Sequence, residues 1–218
     1  MFLWTVQKES VIEQLLVKSK YEPNFLLSDG LANDTMKKVY PSLLSEYNSR
    51  NSTLASGLIF GLTNLNNAPI LSIQQYHDYF TTDSDFWSSV SAAGSNWTVL
   101  QLEIPDFIDS IHIFFQDFII LSMRYSNDNN YKMFIKSNLY DIPYCDFHTD
   151  LSISQNIRWV SDDIFKSILQ AHFHQIDIKN VRGVYSTYDP IANIEYDLTD
   201  GAKQLKNLIE TKSYNIRY

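Results

Sequence analysis

The chain contains few of the residues on which several common protein classes depend. Cys145 is its one cysteine, so it cannot form a disulfide within itself, and a reducing compartment is predicted. Its 6 glycines form neither a GxGxxG nor a GxxxxGK pattern, which argues against Rossmann-type and P-loop nucleotide binding. No apolar run reaches the ~18 residues of a membrane span. The opening MFLWTVQKES has no basic residues before its short apolar run, unlike a signal peptide. We therefore predict a cytoplasmic protein without membrane contact.

Positive charge is also scarce. Lys and Arg number 17 against 25 Asp and Glu, which gives a net charge of -8. A protein that coats nucleic acid non-specifically needs a basic face to neutralise phosphates, so that class is disfavoured. An acidic surface is instead suited to basic partners.

The residues that are abundant indicate a folded domain. Hydrophobic residues make up 44% of the chain and charged residues 19%, a balance typical of globular proteins and not of disordered ones. The 14 Tyr, 13 Phe and 4 Trp can fill a core, and Tyr and Trp also line wet binding surfaces. At 218 residues, the length predicts a single domain over 1–218.

Periodicity predicts a mixture of strands and helices. Strands are expected at 2–7, in SGLIFGLTN (56–64), in WTVLQLEIP (97–105), in LQAHFHQIDI (169–178), and in one or two segments after it. Helices are expected in KESVIEQLLVKSK (8–20), around 36–47 with Pro41 as a kink or break, after Ser161, and in DGAKQLKNLIETK (200–212). The apolar stretch 107–125 fits either a helix or two strands. We predict one α+β domain that begins with a strand.

Three short segments resemble an uncharacterised bacterial domain family. They are LWTVQ (3–7), LQLEIP (100–105) and QAHFHQIDIKNV (170–181), in the order in which that family carries its Leu-Trp-Thr-Ile/Val-Gln start, its Leu-x-Leu-Glu-x-Pro strand and its late Gln-Ala-Thr-Phe-Trp strand. His172 and His174 stand where the family has Thr and Trp.

The strand–helix opening also looks like the first strand of ADP-ribosyltransferase-type folds. That resemblance implies a mixed, mostly antiparallel split β-core, flanked by helices, which holds NAD in a cleft. It further implies that a polar residue on the first strand contacts the adenosine ribose, that an aromatic residue packs the nicotinamide, and that a late acid or amide orients the ribose. Matched by position, Thr5 and Gln7 take the first role, Phe60 or the tyrosines Tyr76 and Tyr79 the second, and Gln170 the third. The expected cofactor-binding residues are therefore Trp4, Thr5, Gln7, Phe60, Tyr76 and Tyr79, and the expected catalytic residues are Gln170 and, as a candidate carboxylate, Glu103.

The implied chemistry requires a carboxylate. Cleavage of the nicotinamide–ribose bond builds positive charge on the ribose, which a nearby negative charge stabilises. Gln170 is uncharged, so the carboxylate must come from Glu103 or from Asp162 and Asp163, unless the protein binds NAD without reaction.

Several of these residues also have a purely structural interpretation. Trp4 fits a core position, Thr5 and Gln7 fit the exposed face of an edge strand, Glu103 and Gln101 fit a solvated strand face, and Asp162 and Asp163 fit a helix start.

Four metal-ligand residue types occur in two pairs, Cys145 with His148 and His172 with His174. A Cys-x-x-His pair with a distant His-x-His pair is not a common structural zinc pattern, so we predict no metal site. We expect instead that the histidines, which share one face of a strand, line a surface or cleft, and that Cys145 is a small buried residue.

The sequence thus favours an ADP-ribosyltransferase-like protein that binds NAD or a related nucleotide. The most specific version of this hypothesis is a toxin or effector that modifies a protein or nucleic acid. The alternative is a non-enzymatic interaction protein, such as a phage- or defence-associated binding module, an antitoxin or an immunity protein. A metal-dependent hydrolase that uses the histidine pair is a third interpretation.

Overall fold

The computed structural model of the chain describes residues 2–26, 36–51, 53–64, 95–104, 111–114, 168–189 and 194–215. The helices there are α1 (Glu9–Lys18), α2 (Met36–Asn51) and α3 (Asp200–Asn215). The strands are β1 (Phe2–Lys8), β2 (Lys20–Tyr21), β3 (Ile59–Asn64), β4 (Trp97–Glu103), β5 (Ile111–Phe114), β6 (Ile168–Phe173), β7 (Ile176–Asp177), β8 (Val181–Tyr185), β9 (Tyr188–Asp189) and β10 (Ile194–Glu195). This α+β architecture with mostly antiparallel strands confirms the predicted fold class.

The chain forms two compact units, each assembled from separated segments. Among the described residues, the first unit contains 2–21, 95–104, 176–189 and 194–215. The second unit contains 22–26, 36–51, 53–64, 111–114 and 168–175. The prediction of a single domain over 1–218 stays a prediction.

In the first unit, three strands pair antiparallel in the order β1, β4, β8. Their apolar residues fill the core, and Leu3, Leu100 and Leu102 are each 0% exposed. Helix α1 follows β1 directly and buries Val11, Ile12 and Leu15, the stripe that its helical spacing predicts.

Helix α1 ends at Lys18 and is capped by Ser19, whose φ of 58° is in the left-handed region. This conformation lets the Ser19 N–H donate to the carbonyl of Leu15 at 2.9 Å, which closes the last helical turn. The Ser19 carbonyl then accepts from the N–H of Ile178, next to the short β2–β7 pair.

In the second unit, three strands pair antiparallel in the order β5, β6, β3. Helix α2 belongs to the same unit and buries Tyr40, Leu43 and Tyr47, which are three and four residues apart on one stripe. Pro41 lies inside α2 and does not end it, so of the predicted kink or break the break is wrong. Its side chain is exposed, and buried residues on both sides of it anchor the helix, so packing outweighs the lost backbone hydrogen bond.

Asn48 connects α2 to the segment that leads into β3. Its Nδ2 donates to the carbonyl of Ala55 at 3.0 Å, and its Oδ1 accepts from the Thr53 hydroxyl at 2.8 Å and the Ala55 N–H at 3.0 Å. One side chain therefore satisfies three polar groups of a turn, which fixes the entry into the strand.

The segment LQAHFHQIDI, predicted as one strand, forms two. Strand β6 ends at Phe173 and pairs with β3 and β5, whereas β7 begins at Ile176 and pairs with β2. The two strands belong to different units, so the chain leaves one strand ladder and joins another. The prediction of a helix after Ser161 and most of the segment 107–125 fall outside the described residues; within that segment, Ile111–Phe114 is a strand.

Candidate functional site

The polar residues predicted on the first strand lie on one face of the β1–β4 pair. Thr5 is opposite Leu100 and Gln7 is opposite Thr98, and directly paired residues of antiparallel strands share a face. Gln7 Nε2 donates to Thr5 Oγ1 at 2.6 Å. Thr98 Oγ1 is buried and has no hydrogen-bond partner in the part of the chain that the structure describes. Thr5, Gln7 and Thr98 therefore form a group of uncharged hydrogen-bonding side chains, which we term the β1–β4 polar cluster.

The cluster is more buried than the edge-strand interpretation predicted. Thr5 is 3% exposed and Thr98 is 0% exposed, while Gln7 is half-buried. The exposed strand face predicted for Thr5 is therefore wrong, because Leu3, Thr5 and Leu100 belong to one packed layer. Gln7 is the member of the cluster with surface accessible to a ligand.

Trp4 points to the opposite face of β1 and is a core residue, as its structural interpretation predicted. It is 1% exposed, and its ring centroid lies 5.3 Å from that of Tyr185 in a tilted arrangement. The Tyr185 ring covers Gly183, where a Cβ atom would overlap the ring. Burial raises the pKa of the Tyr185 phenol. A cofactor-binding role for Trp4 stays a prediction.

Glu103 lies on the same face as Trp4, and thus on the opposite face from Thr5 and Gln7. Its Oε2 accepts from Arg182 Nε at 2.6 Å. Arg182 also donates from Nη1 to the carbonyl of Lys179 at 2.6 Å. The β4–β8 register shifts between Gln101 and Leu102, which are paired with Gly183 and Val181 and leave Arg182 as the extra residue of a bulge.

This ion pair changes the interpretation of Glu103. Its side chain is 43% exposed and that of Arg182 is 44% exposed, so the pair is solvated and contributes little to stability. The solvated strand face predicted for Glu103 agrees with this exposure, whereas its neighbour Gln101 is buried at 7%. The structure does not bring the predicted catalytic carboxylate Glu103 to the β1–β4 polar cluster.

Two other predicted residues lie on paired strands of the second unit. Phe60 of β3 is opposite His172 of β6, and Gln170 of β6 is opposite Leu62. The Phe60 ring is half-buried, with its centroid 6.4 Å from that of Tyr40 on α2. Phe60 and Gln170 thus occupy neighbouring register positions, two residues apart on adjacent strands.

Both histidines of the late segment face α2. His172 is 0% exposed and its ring meets Tyr40 edge-on at 6.5 Å. His174 Nδ1 lies 2.7 Å from the hydroxyl of Tyr47, two helical turns after Tyr40. The interpretation that the pair lines a surface or cleft is wrong for His172, because it is buried against a helix.

Several predicted positions lie outside the described residues: Tyr76, Tyr79, Cys145, His148, Asp162 and Asp163. The four-residue Cys and His set is therefore not described as a whole. Among the residues that are described, no group of three or more His, Cys, Asp or Glu side chains is placed to hold a metal ion.

Sequence reasoning missed three residues around these positions. Thr98 joins Thr5 and Gln7 only through the β1–β4 register, Arg182 reaches Glu103 through a bulge, and Tyr47 reaches His174 across 127 positions of sequence. The alternation in WTVLQLE predicts which residues share the face of their own strand with Thr98. No local pattern predicts which residue of a distant strand pairs with it, because the register depends on long-range contacts.

Comparisons with known proteins add no family or neighbour to this description. Protein-family models give no match to the chain, and neither curated proteins nor solved structures give one. Within the described ranges, no helix has both the length and the apolar character to cross a membrane.

Proposed function

We propose that the chain is an ADP-ribosyltransferase-like protein that binds NAD or a related nucleotide. The most specific version of this proposal is a toxin or effector that transfers ADP-ribose to a macromolecule. One observation carries this proposal. The polar residues of the first strand, where the resemblance implies the ribose contact, lie together on one face of the β1–β4 pair, and Gln7 keeps surface that a ligand can reach.

The side chains on these strands support the same proposal. Thr5 and Gln7 are hydrogen-bonded to each other on β1, and the opposite residue Thr98 has a hydroxyl without a partner among the described residues. Neutral donors and acceptors of this kind can recognise ribose hydroxyls or amide groups. Phe60 and Gln170, the aromatic and amide positions, occupy adjacent strands of the second unit.

Binding and chemistry are separate parts of the proposal. Glu103 lies on the face opposite the β1–β4 polar cluster and its carboxylate is paired with Arg182. Its catalytic role is therefore tested separately from binding, with its own variant. Glu103→Gln removes the negative charge and keeps the shape of the side chain, so it separates a charge effect on turnover from an effect on binding.

NAD titration by calorimetry tests the binding part. We expect the wild-type chain to bind NAD and Gln7→Ala to weaken binding roughly tenfold, which corresponds to about 1.4 kcal/mol. Thr5→Val, which keeps the shape but removes the hydroxyl, tests the buried partner. Gln204→Ala is the matched control, because Gln204 is an exposed glutamine of α3. Thermal unfolding of every variant shows whether the fold is retained.

The outcomes discriminate clearly. If saturating NAD produces neither heat nor a thermal shift in the wild-type chain, the nucleotide proposal is rejected. If NAD binds and Gln7→Ala binds as tightly as Gln204→Ala, the nucleotide proposal survives but its assignment to β1 does not.

A second function, that of a non-enzymatic interaction protein, is favoured by a different observation. Leu26 is 93% exposed and Leu54 is 98% exposed, and both flank a backbone hydrogen bond of 3.0 Å from the Phe25 N–H to the Ser56 carbonyl. Each leucine belongs to a turn fixed by an asparagine, Asn24 for Leu26 and Asn48 for the segment around Leu54. Ordered turns present their side chains at a low entropic cost of binding. The net charge of -8 favours a partner with a basic surface.

Capture of partners from a host lysate tests this second function. Leu26→Ser with Leu54→Ser should abolish recovery of a stoichiometric partner that the wild-type chain retains. Val17→Ser is the control, since Val17 is 82% exposed but belongs to the first unit. Recovery that is equal for all three proteins would remove the two leucines from the interface, and no stoichiometric partner for the wild-type chain would contradict the second function.

A further inference from the structure

No further inference is drawn: the strongest candidate, the cavity of about 90 Å³ lined by Tyr185, Lys206 and Ile209 where β8 meets α3 in the first unit, has room for only a few water molecules, and no second observation among the described residues points to a ligand there.

Discussion

The carboxylate of Glu9, the first residue of α1, accepts a hydrogen bond of 3.1 Å from the backbone N–H of Gly201 in the first turn of α3. Its other oxygen accepts from the Thr199 hydroxyl, which in turn accepts from the N–H of Ala202 at 3.1 Å. Thr199 is thus the N-cap of α3, and a negative charge lies where the helix dipole is positive. Gly201 permits this approach, because a Cβ atom there would collide with Glu9 Oε1.

Replacement of Glu9 by alanine should lower the free energy of unfolding by about 1–2 kcal/mol, through loss of the cap and the dipole interaction. Chemical denaturation at neutral pH measures the change. Glu13→Ala is the control, since Glu13 is an exposed residue of the same helix. Equal losses for the two variants would show that the contact with Gly201 and Thr199 contributes nothing specific.

The sequence predicted the elements of this region better than it predicted their contacts. Helical spacing located α1 and the last helix, and alternation located β1 and β4, since these patterns are local. An acid such as Glu9 is typical of a helix start, but no local pattern indicates its partners Thr199 and Gly201, which lie 190 and 192 residues away. The same holds for the candidate site. Alternation predicts that Thr5 and Gln7 share a face of β1, but only the β1–β4 register places Thr98 opposite Gln7 and puts Glu103 on the other face.

Gly57 should not tolerate a side chain. A Cβ atom at this position would lie 2.8 Å from the carbonyl oxygen of Pro23, which is backbone and cannot rotate away. We expect Gly57→Ala to lower the free energy of unfolding by about 1–3 kcal/mol. Ser56→Ala, at the exposed neighbouring residue, is the control in a thermal-unfolding comparison. A Gly57→Ala protein as stable as that control would contradict the close approach of the two segments.

Replacement of Ser19 by glycine should stabilise the protein. Its φ of 58° costs a non-glycine residue about 1–2 kcal/mol, while glycine adopts this conformation freely. After allowance for the greater entropy that glycine loses on folding, Ser19→Gly should raise the free energy of unfolding by about 0.5–1 kcal/mol. Lys18→Gly, one residue earlier inside α1, should lower it. If chemical denaturation shows a lower free energy of unfolding for Ser19→Gly than for the wild-type protein, the left-handed conformation of the C-cap is contradicted.

Removal of the Asn48 side chain should destabilise the second unit. Asn48→Ala leaves the Ala55 N–H, the Ala55 carbonyl and the Thr53 hydroxyl without their partner, and we expect a loss of about 2–3 kcal/mol. Hydrogen exchange should accelerate at Ala55 and at β3. Ser45→Ala, at an exposed position of α2, provides the control. If the hydrogen-exchange rate of Ala55 is unchanged in Asn48→Ala, the turn is stable without the Asn48 side chain.

Alkaline pH should destabilise the protein through Tyr40. Burial raises the pKa of its phenol, which is 7% exposed on α2 and packs against the Phe25 ring at 5.4 Å. In the unfolded chain the phenol loses its proton at about pH 10, while the folded protein retains it. The stabilisation is therefore complete below about pH 10 and is lost as the pH rises from there toward the folded pKa, at up to about 1.4 kcal/mol per pH unit for this one proton.

Tyr40→Phe should make the stability fall less steeply between about pH 9 and about pH 11 in urea denaturation. Burial also raises the pKa of Tyr21 and Tyr185, so part of the slope should remain. Identical slopes for the wild-type and Tyr40→Phe proteins would show that Tyr40 ionises equally in the folded and unfolded states, and would contradict its burial.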